Sequence, residues 1–217
     1  MFRHSLIFLM LCCMFLFKKL NAQTSYDKLY YEKVTKEFWE VKNDFKIKIP
    51  FTTQRYLEYK ITAGYRTNFR SGPKFLDLIV EQLNENNNKL NIAWLIHDVN
   101  YEGYITRAEA DTLLFVMLLD AGVRKPRAKA IYWGLRVLGE SFYSDLKSSL
   151  LISFNITTQE SPENKDMARP ILQLGASELF NKQFKSTSNL EDLEMEREIE
   201  NLFPEYADEI KKKALGK

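Results

Sequence analysis

The sequence predicts an α+β fold, mainly helical: a short N-terminal β-hairpin packed on a bundle of three to four helices, plus a C-terminal helical tail. Three observations predict it. Residues 44–62 alternate apolar and polar in two runs separated by turn residues. From Phe75 onward apolar residues recur every three or four positions. The connections between these helical segments are short, so neighbouring helices should pack on one another. The composition is that of an ordinary globular chain, with 217 residues, 45% hydrophobic and 28% charged.

The first 23 residues stand apart. Arg3 precedes an apolar run over residues 5–17, followed by Lys18, Lys19 and a small residue, Ala22. A basic start, a short apolar core and a small residue describe a secretory signal peptide. The run is shorter than the roughly 20 residues a membrane span needs. The expected location is therefore exported: periplasmic, cell-envelope or extracellular. Removing residues 1–23 takes three of the 31 Lys+Arg and none of the 29 Asp+Glu, which leaves the remainder at −1. It also takes both cysteines, so neither a disulfide nor a Cys-based metal site is expected. A near-neutral chain gives no footprint for nucleic acid.

Residues 24–43 interleave Tyr30, Tyr31, Phe38 and Trp39 with charge, and the expectation is an amphipathic helical lead-in. A core domain is expected over 44–145. Phe45–Ile49 and Tyr56–Ile61 are its strands, divided by Pro50. A loop runs from Ala63 to Phe75, punctuated by Gly64, Gly72 and Pro73. Phe75, Leu76, Ile79, Val80 and Leu83 predict a helix. Asn91 to about Tyr101 predicts a second, ended by Gly103. Thr106 and Glu109 form a capping box for the next, which ends near Gly122. Pro126 suits the first turn of a further helix ending at Gly139. Residues 146–217 read as a linker, centred on Thr157–Asp166, and a helical appendage. There Ser188 and Glu191 suggest another capping box, and Lys211–Lys213 a dipole-favoured helix end. This acidic helix is a candidate protein-docking segment.

The chemistry concentrates in Trp94–Asp111. His97 and Tyr101 are one turn apart and share a helix face, whereas Asp98 is rotated about 100° from His97. An orienting carboxylate for His97 must come from another element. Asp111 is placed to supply it if the two helices run antiparallel. The histidine's second nitrogen would then be a general base toward water. Asp98 would be available to a hard cation such as calcium, which prefers oxygen ligands. The plainer reading is a polar seam between helices, with Arg107 and Asp111 as an i,i+4 pair and Tyr101 bonded to a backbone carbonyl.

Two stretches carry a resemblance. Gly64-Tyr65, Thr67, Ser71 and Pro73 are followed by His97-Asp98 and Tyr101, then by Arg107, Ala110 and Asp111, then by Tyr132, Arg136 and Gly139. In this order they resemble the phage and bacterial family known as domain of unknown function thirteen-fifty-three, over roughly residues 44–142. The helix pair also resembles that of secreted prokaryotic phospholipase A2. The second resemblance implies His97 as catalytic base, Asp111 as its partner, Tyr101 and Arg107 as supporting residues, and calcium held by Asp98 and Asn68. Asn68 stands where the family usually has aspartate, which removes one ligand charge. The implied function is a calcium-assisted lipid ester hydrolase at a phospholipid or membrane surface. The alternative is a non-enzymatic phage-derived or cell-envelope module whose His/Asp/Tyr seam is structural.

Overall fold

The computed structural model describes residues 25–36, 38–50, 55–69, 87–144, 151–158, 184 and 188–216. The expected signal segment, the helix expected from Phe75 to Leu83, the loop residues Ser71 and Pro73 and most of the expected linker lie outside these residues. Among the described residues the fold is α+β and mainly helical. It has seven strands, β1 (Ser25–Tyr26), β2 (Tyr31–Lys33), β3 (Trp39–Val41), β4 (Phe45–Pro50), β5 (Arg55–Ile61), β6 (Arg66–Thr67) and β7 (Ile152–Thr158). Its α-helices are α1 (Asn88–Asn100), α2 (Arg107–Asp120), α3 (Lys125–Leu138), α4 (Asn189–Leu202) and α5 (Ala207–Leu215). None of the described helices is long and apolar enough to cross a membrane.

The strands form two antiparallel sheets, ordered β1-β4-β5-β7 and β2-β3-β6. The expected hairpin is β4–β5. Its register sets Phe45 opposite Ile61, Ile47 opposite Tyr59 and Ile49 opposite Leu57. All six are buried, while Lys46, Lys48 and Lys60 face outward. A period of two puts alternate side chains on opposite faces, which is why this run makes a one-faced sheet.

Two expectations are corrected here. The 24–43 segment is not a helical lead-in: it contributes β1, β2 and β3. Tyr31 pairs with Val41 and Lys33 with Trp39, and the glutamates Glu32 and Glu40 pair between them. Aromatic and β-branched residues favour such pleated pairing. Tyr31 and Trp39 both set their rings edge-on against Phe69, at 5.3 and 5.6 Å. The second correction concerns the described residues of the 146–217 segment, which pack into the core and do not form an appendage. β7 pairs with β5 along seven positions and completes the first sheet, taking in the Thr157 and Thr158 assigned to the linker. Met195, Ile199, Leu202, Phe203 and Ile210 of the tail are buried in the same core as the central helices.

Helix α1 lies deep in the core. Every residue from Asn91 to Asn100 is buried. A helix buried on all sides holds its polar residues in the interior, where each needs a partner. Tyr59 of β5 donates to Asn100 Oδ1 at 2.8 Å and so ties the sheet to α1. The capping box of α2 is present: Thr106 Oγ1 accepts from Glu109 N, and Glu109 Oε2 accepts from Thr106 N at 2.8 Å. At α4 only half of the expected box forms. Ser188 Oγ accepts from Glu191 N, but the Glu191 carboxylate turns to Lys129 and Lys125 of α3, at 2.7 and 3.2 Å.

Candidate functional site

Helices α1 and α2 pack antiparallel through the short turn 101–106, and this brings Asp111 to His97. His97 Nε2 lies 3.2 Å from Asp111 Oδ1, and neither side chain has any exposed surface. The Tyr101 hydroxyl donates to the same Oδ1 at 2.6 Å. Tyr101 therefore bonds the carboxylate and not, as the plainer reading had it, a backbone carbonyl. Arg136 of α3 donates to Asp111 Oδ2 at 3.0 Å. A buried carboxylate is costly unless paired and hydrogen-bonded. Here three donors from two other helices and the turn hold it.

Hydrogen bonding to Asp111 fixes the histidine. A carboxylate accepts, so Nε2 is the nitrogen that donates, and in the neutral imidazole Nδ1 keeps its lone pair. Nδ1 is buried and has no hydrogen-bond partner. The Tyr101 ring lies 4.1 Å from the imidazole, centroid to centroid, and Trp94 stands edge-on to it at 6.0 Å. Burial, and next the neighbouring Asp111 charge, push the Tyr101 phenol well above its ordinary value, so Tyr101 remains a donor.

Arg107 is not the partner expected for Asp111. Its guanidinium donates to the carbonyls of Leu135 and Arg136, at 3.0 and 3.4 Å, and thereby ties the start of α2 to the end of α3. The residues that complete the site are Arg136 of α3 and Gly139, just past its end. A methyl on Gly139 would come within 2.7 Å of the Tyr101 hydroxyl, so the missing side chain makes room for it. Neither was singled out as a site residue from the sequence, although the Tyr132, Arg136, Gly139 spacing carried the signal.

Asp98 points to a different set of groups. Its Oδ2 accepts a short hydrogen bond from the Thr67 hydroxyl, whose oxygen in turn accepts from Phe69 N at 2.9 Å. The loop that carries Asn68 is thus pinned onto Asp98 by Thr67. Phe69 adopts a positive φ of 56° to close this turn. Tyr65 donates to Glu102 Oε1 at 2.6 Å, while Glu102 Oε2 is buried without a partner. Burial, then the charges of Asp98 and Glu102, raise the Tyr65 phenol well above its usual value. Oxygen donors of carboxylate, hydroxyl and amide type are the chemistry a hard cation requires. Among the described residues no three His, Cys, Asp or Glu side chains cluster as a ready-made metal site.

Residues 39–135 match the family model described as Protein of unknown function (DUF1353). The match runs from β3 into α3 and contains Thr67, His97, Asp98, Tyr101 and Asp111. It stops one residue short of Arg136. Neither a curated protein nor a solved structure matches the chain.

Proposed function

We propose that this chain, whose residues 39–135 belong to the DUF1353 family, is an exported lipid ester hydrolase of the phospholipase A2 type. One observation carries the reading: His97 is anchored through Nε2 by Asp111, with Nδ1 left unpartnered. That is the geometry of an oriented general base. Nδ1 would take the proton of a water as its oxygen attacks the ester carbonyl carbon, and return it to the leaving alcohol. Asp111 would hold the imidazole in the correct tautomer and offset the charge that develops on it. Tyr101 and Arg136 would in turn hold Asp111. Calcium would be held by Asp98 and Asn68, with Thr67 and Glu102 as neighbouring oxygen donors. Bound there, it would supply positive charge toward a phosphate and a developing oxyanion. The substrate class would be phospholipid presented at a membrane surface.

A specific observation favours the second reading, a structural seam. His97 and Asp111 are fully buried, and Arg136 already balances the Asp111 charge. Turnover requires the site to open to substrate, whereas a seam requires nothing further.

The test is fatty-acid release from mixed phospholipid vesicles by the full chain, with calcium and with chelator, for wild type, His97→Gln and Asp98→Asn. The hydrolase reading expects release that needs calcium and falls roughly 100-fold or more in His97→Gln, with the melting temperature little changed. No release by folded wild type on anionic and zwitterionic vesicles would sink it and leave the seam.

A further inference from the structure

The four-stranded sheet ends differently on its two sides. Its order is β1-β4-β5-β7, so among the described strands β1 and β7 are its edges. An edge strand carries a row of unpaired amides and carbonyls, and proteins blunt it with shortness, charge, proline or a bulge. The other edges are blunted in this way. β1 spans Ser25–Tyr26. In the smaller sheet β2 spans Tyr31–Lys33 and carries Glu32 and Lys33, and β6 spans Arg66–Thr67 and carries Arg66. β7 has none of these devices. It runs seven residues, Ile152-Ser-Phe-Asn-Ile-Thr-Thr158, without a charge or a proline. Its register with β5 is unbroken from Ile152 opposite Ile61 to Thr158 opposite Arg55, so no bulge turns it away. Isoleucine, phenylalanine and threonine also favour strand pairing.

The register fixes which groups this edge presents. Thr62 N donates to Leu151 O at 2.8 Å, next to the pair Ile61 and Ile152. Hydrogen-bonded and non-hydrogen-bonded pairs alternate along an antiparallel ladder. Ser153, Asn155 and Thr157 therefore turn their backbone groups toward β5, and Ile152, Phe154, Ile156 and Thr158 turn theirs to the open side. Antiparallel pairing of two such strands about Asn155 sets Ile152 opposite Thr158 and Phe154 opposite Ile156. Every outward residue then meets an outward residue, and no like charges are opposed. A two-fold axis lets the same patch serve both copies. We propose that β7 is a dimer interface of this chain: two copies pair β7 against β7, centred on Asn155, into one continuous sheet. The pairing does not rest on the hydrolase reading.

The test is sedimentation and oxidative crosslinking of the full chain. A single strand pair is a small contact, so a reversible dimer with a Kd of roughly 100 µM or tighter is expected. Mass alone does not name the surface, because the apolar run over residues 5–17 can also associate. Two kinds of variant do. Ile156→Pro removes one outward N–H, leaves the bonds to β5 in place and should weaken the dimer about tenfold or more. In a Cys12→Ser, Cys13→Ser background, Asn155→Cys should crosslink to its copy. Opposed Cα atoms in a non-hydrogen-bonded pair lie about 4.5 Å apart, within disulfide reach. Ser153→Cys should not crosslink, since its two copies are displaced by four positions, or about 13 Å. Wild type that stays monomeric at roughly millimolar concentration would overturn the proposal. So would a dimer whose Asn155→Cys form fails to crosslink, or equal crosslinking of the two cysteine variants. The crosslinking comparison does not depend on the proline variant folding.

Discussion

Asp111 is tightly held, since its two oxygens serve three donors in a fully buried setting. Removing one partner of such a group leaves the others uncompensated. Asp111→Ala is expected to destabilise by roughly 3–5 kcal/mol, read as a shift in the denaturant midpoint. Tyr101→Phe deletes one bond to a charged acceptor and should cost about 1.5–3 kcal/mol. A cost within the noise would mean the hydroxyl is not held as described. The tautomer is a sharper test of chemistry. Nitrogen chemical shifts of His97 should show a protonated Nε2 and an unprotonated Nδ1. The reverse would remove the base from the proposed reaction and leave Asp111 without its imidazole donor. At this scale the sequence was informative. The i,i+4 spacing of His97 and Tyr101 and the position of Asp111 on the next helix foretold their meeting. Arg136 was not chosen over Arg107, because local i,i+4 spacing favours the residue on the same helix. The partner that wins here arrives from a third helix.

Among the elements, α4 shows what packing adds. Its sequence is acidic, and it reads as a solvated helix. Met195, Ile199 and Leu202 nevertheless give it an apolar stripe, which is buried. Phe203, just past its end, sits against Gly134 of α3, where a Cβ would overlap the ring. Gly134→Ala gains up to about 1 kcal/mol in helix propensity, but overpacking a buried ring costs typically 1–3 kcal/mol. Net destabilisation is expected, and Phe203→Leu in the same chain should relieve it. A stabilised Gly134→Ala protein would show that the contact is looser than described. The N-terminal strands were misread for a related reason. Two- and three-residue strands are too short for their period to be told from a helix turn, and only the pairing of β1 with β4, β2 with β3 and β3 with β6 defines them. β7 was legible. Ile152, Phe154 and Ile156 alternate with Ser153, Asn155 and Thr157, but the run leads directly into the Ser-, Pro- and Asn-containing stretch that reads as a linker.

For the whole molecule, the C-terminal helices are held by ion pairs around an apolar contact. Lys129 is buried, pairs with Glu191 at 2.7 Å and lies over the Phe184 ring at 4.8 Å. Burial acts against the Glu191 carboxylate, but hydrogen bonds from Lys129 and Lys125 outweigh it and lower its pKa from the ordinary 4.5. A depressed carboxylate contributes stability that is present above 4.5 and lost as pH falls through the folded value. Acidification below about 4.5 should therefore weaken α4 docking, and Glu191→Gln should flatten that part of the stability curve. An unchanged acid profile in Glu191→Gln would assign the acid sensitivity to other groups. Deleting residues 188–217 should expose the α3 face and cost the fold cooperativity, seen as a broadened or lost melting transition. An appendage would leave the melt intact.

The sequence by itself determined the α+β class, the β4–β5 hairpin, the start of α2 at its capping box and the pairing of His97 with Asp111. Each of these rests on local rules: period, capping chemistry and helix geometry. Only the tertiary structure decided that Arg136, not Arg107, meets Asp111, that Thr67 holds Asp98, and that β7 and α4 belong to the core. Those choices depend on which distant surfaces exclude water together, and chain-local periodicity carries no record of the partner a face will meet.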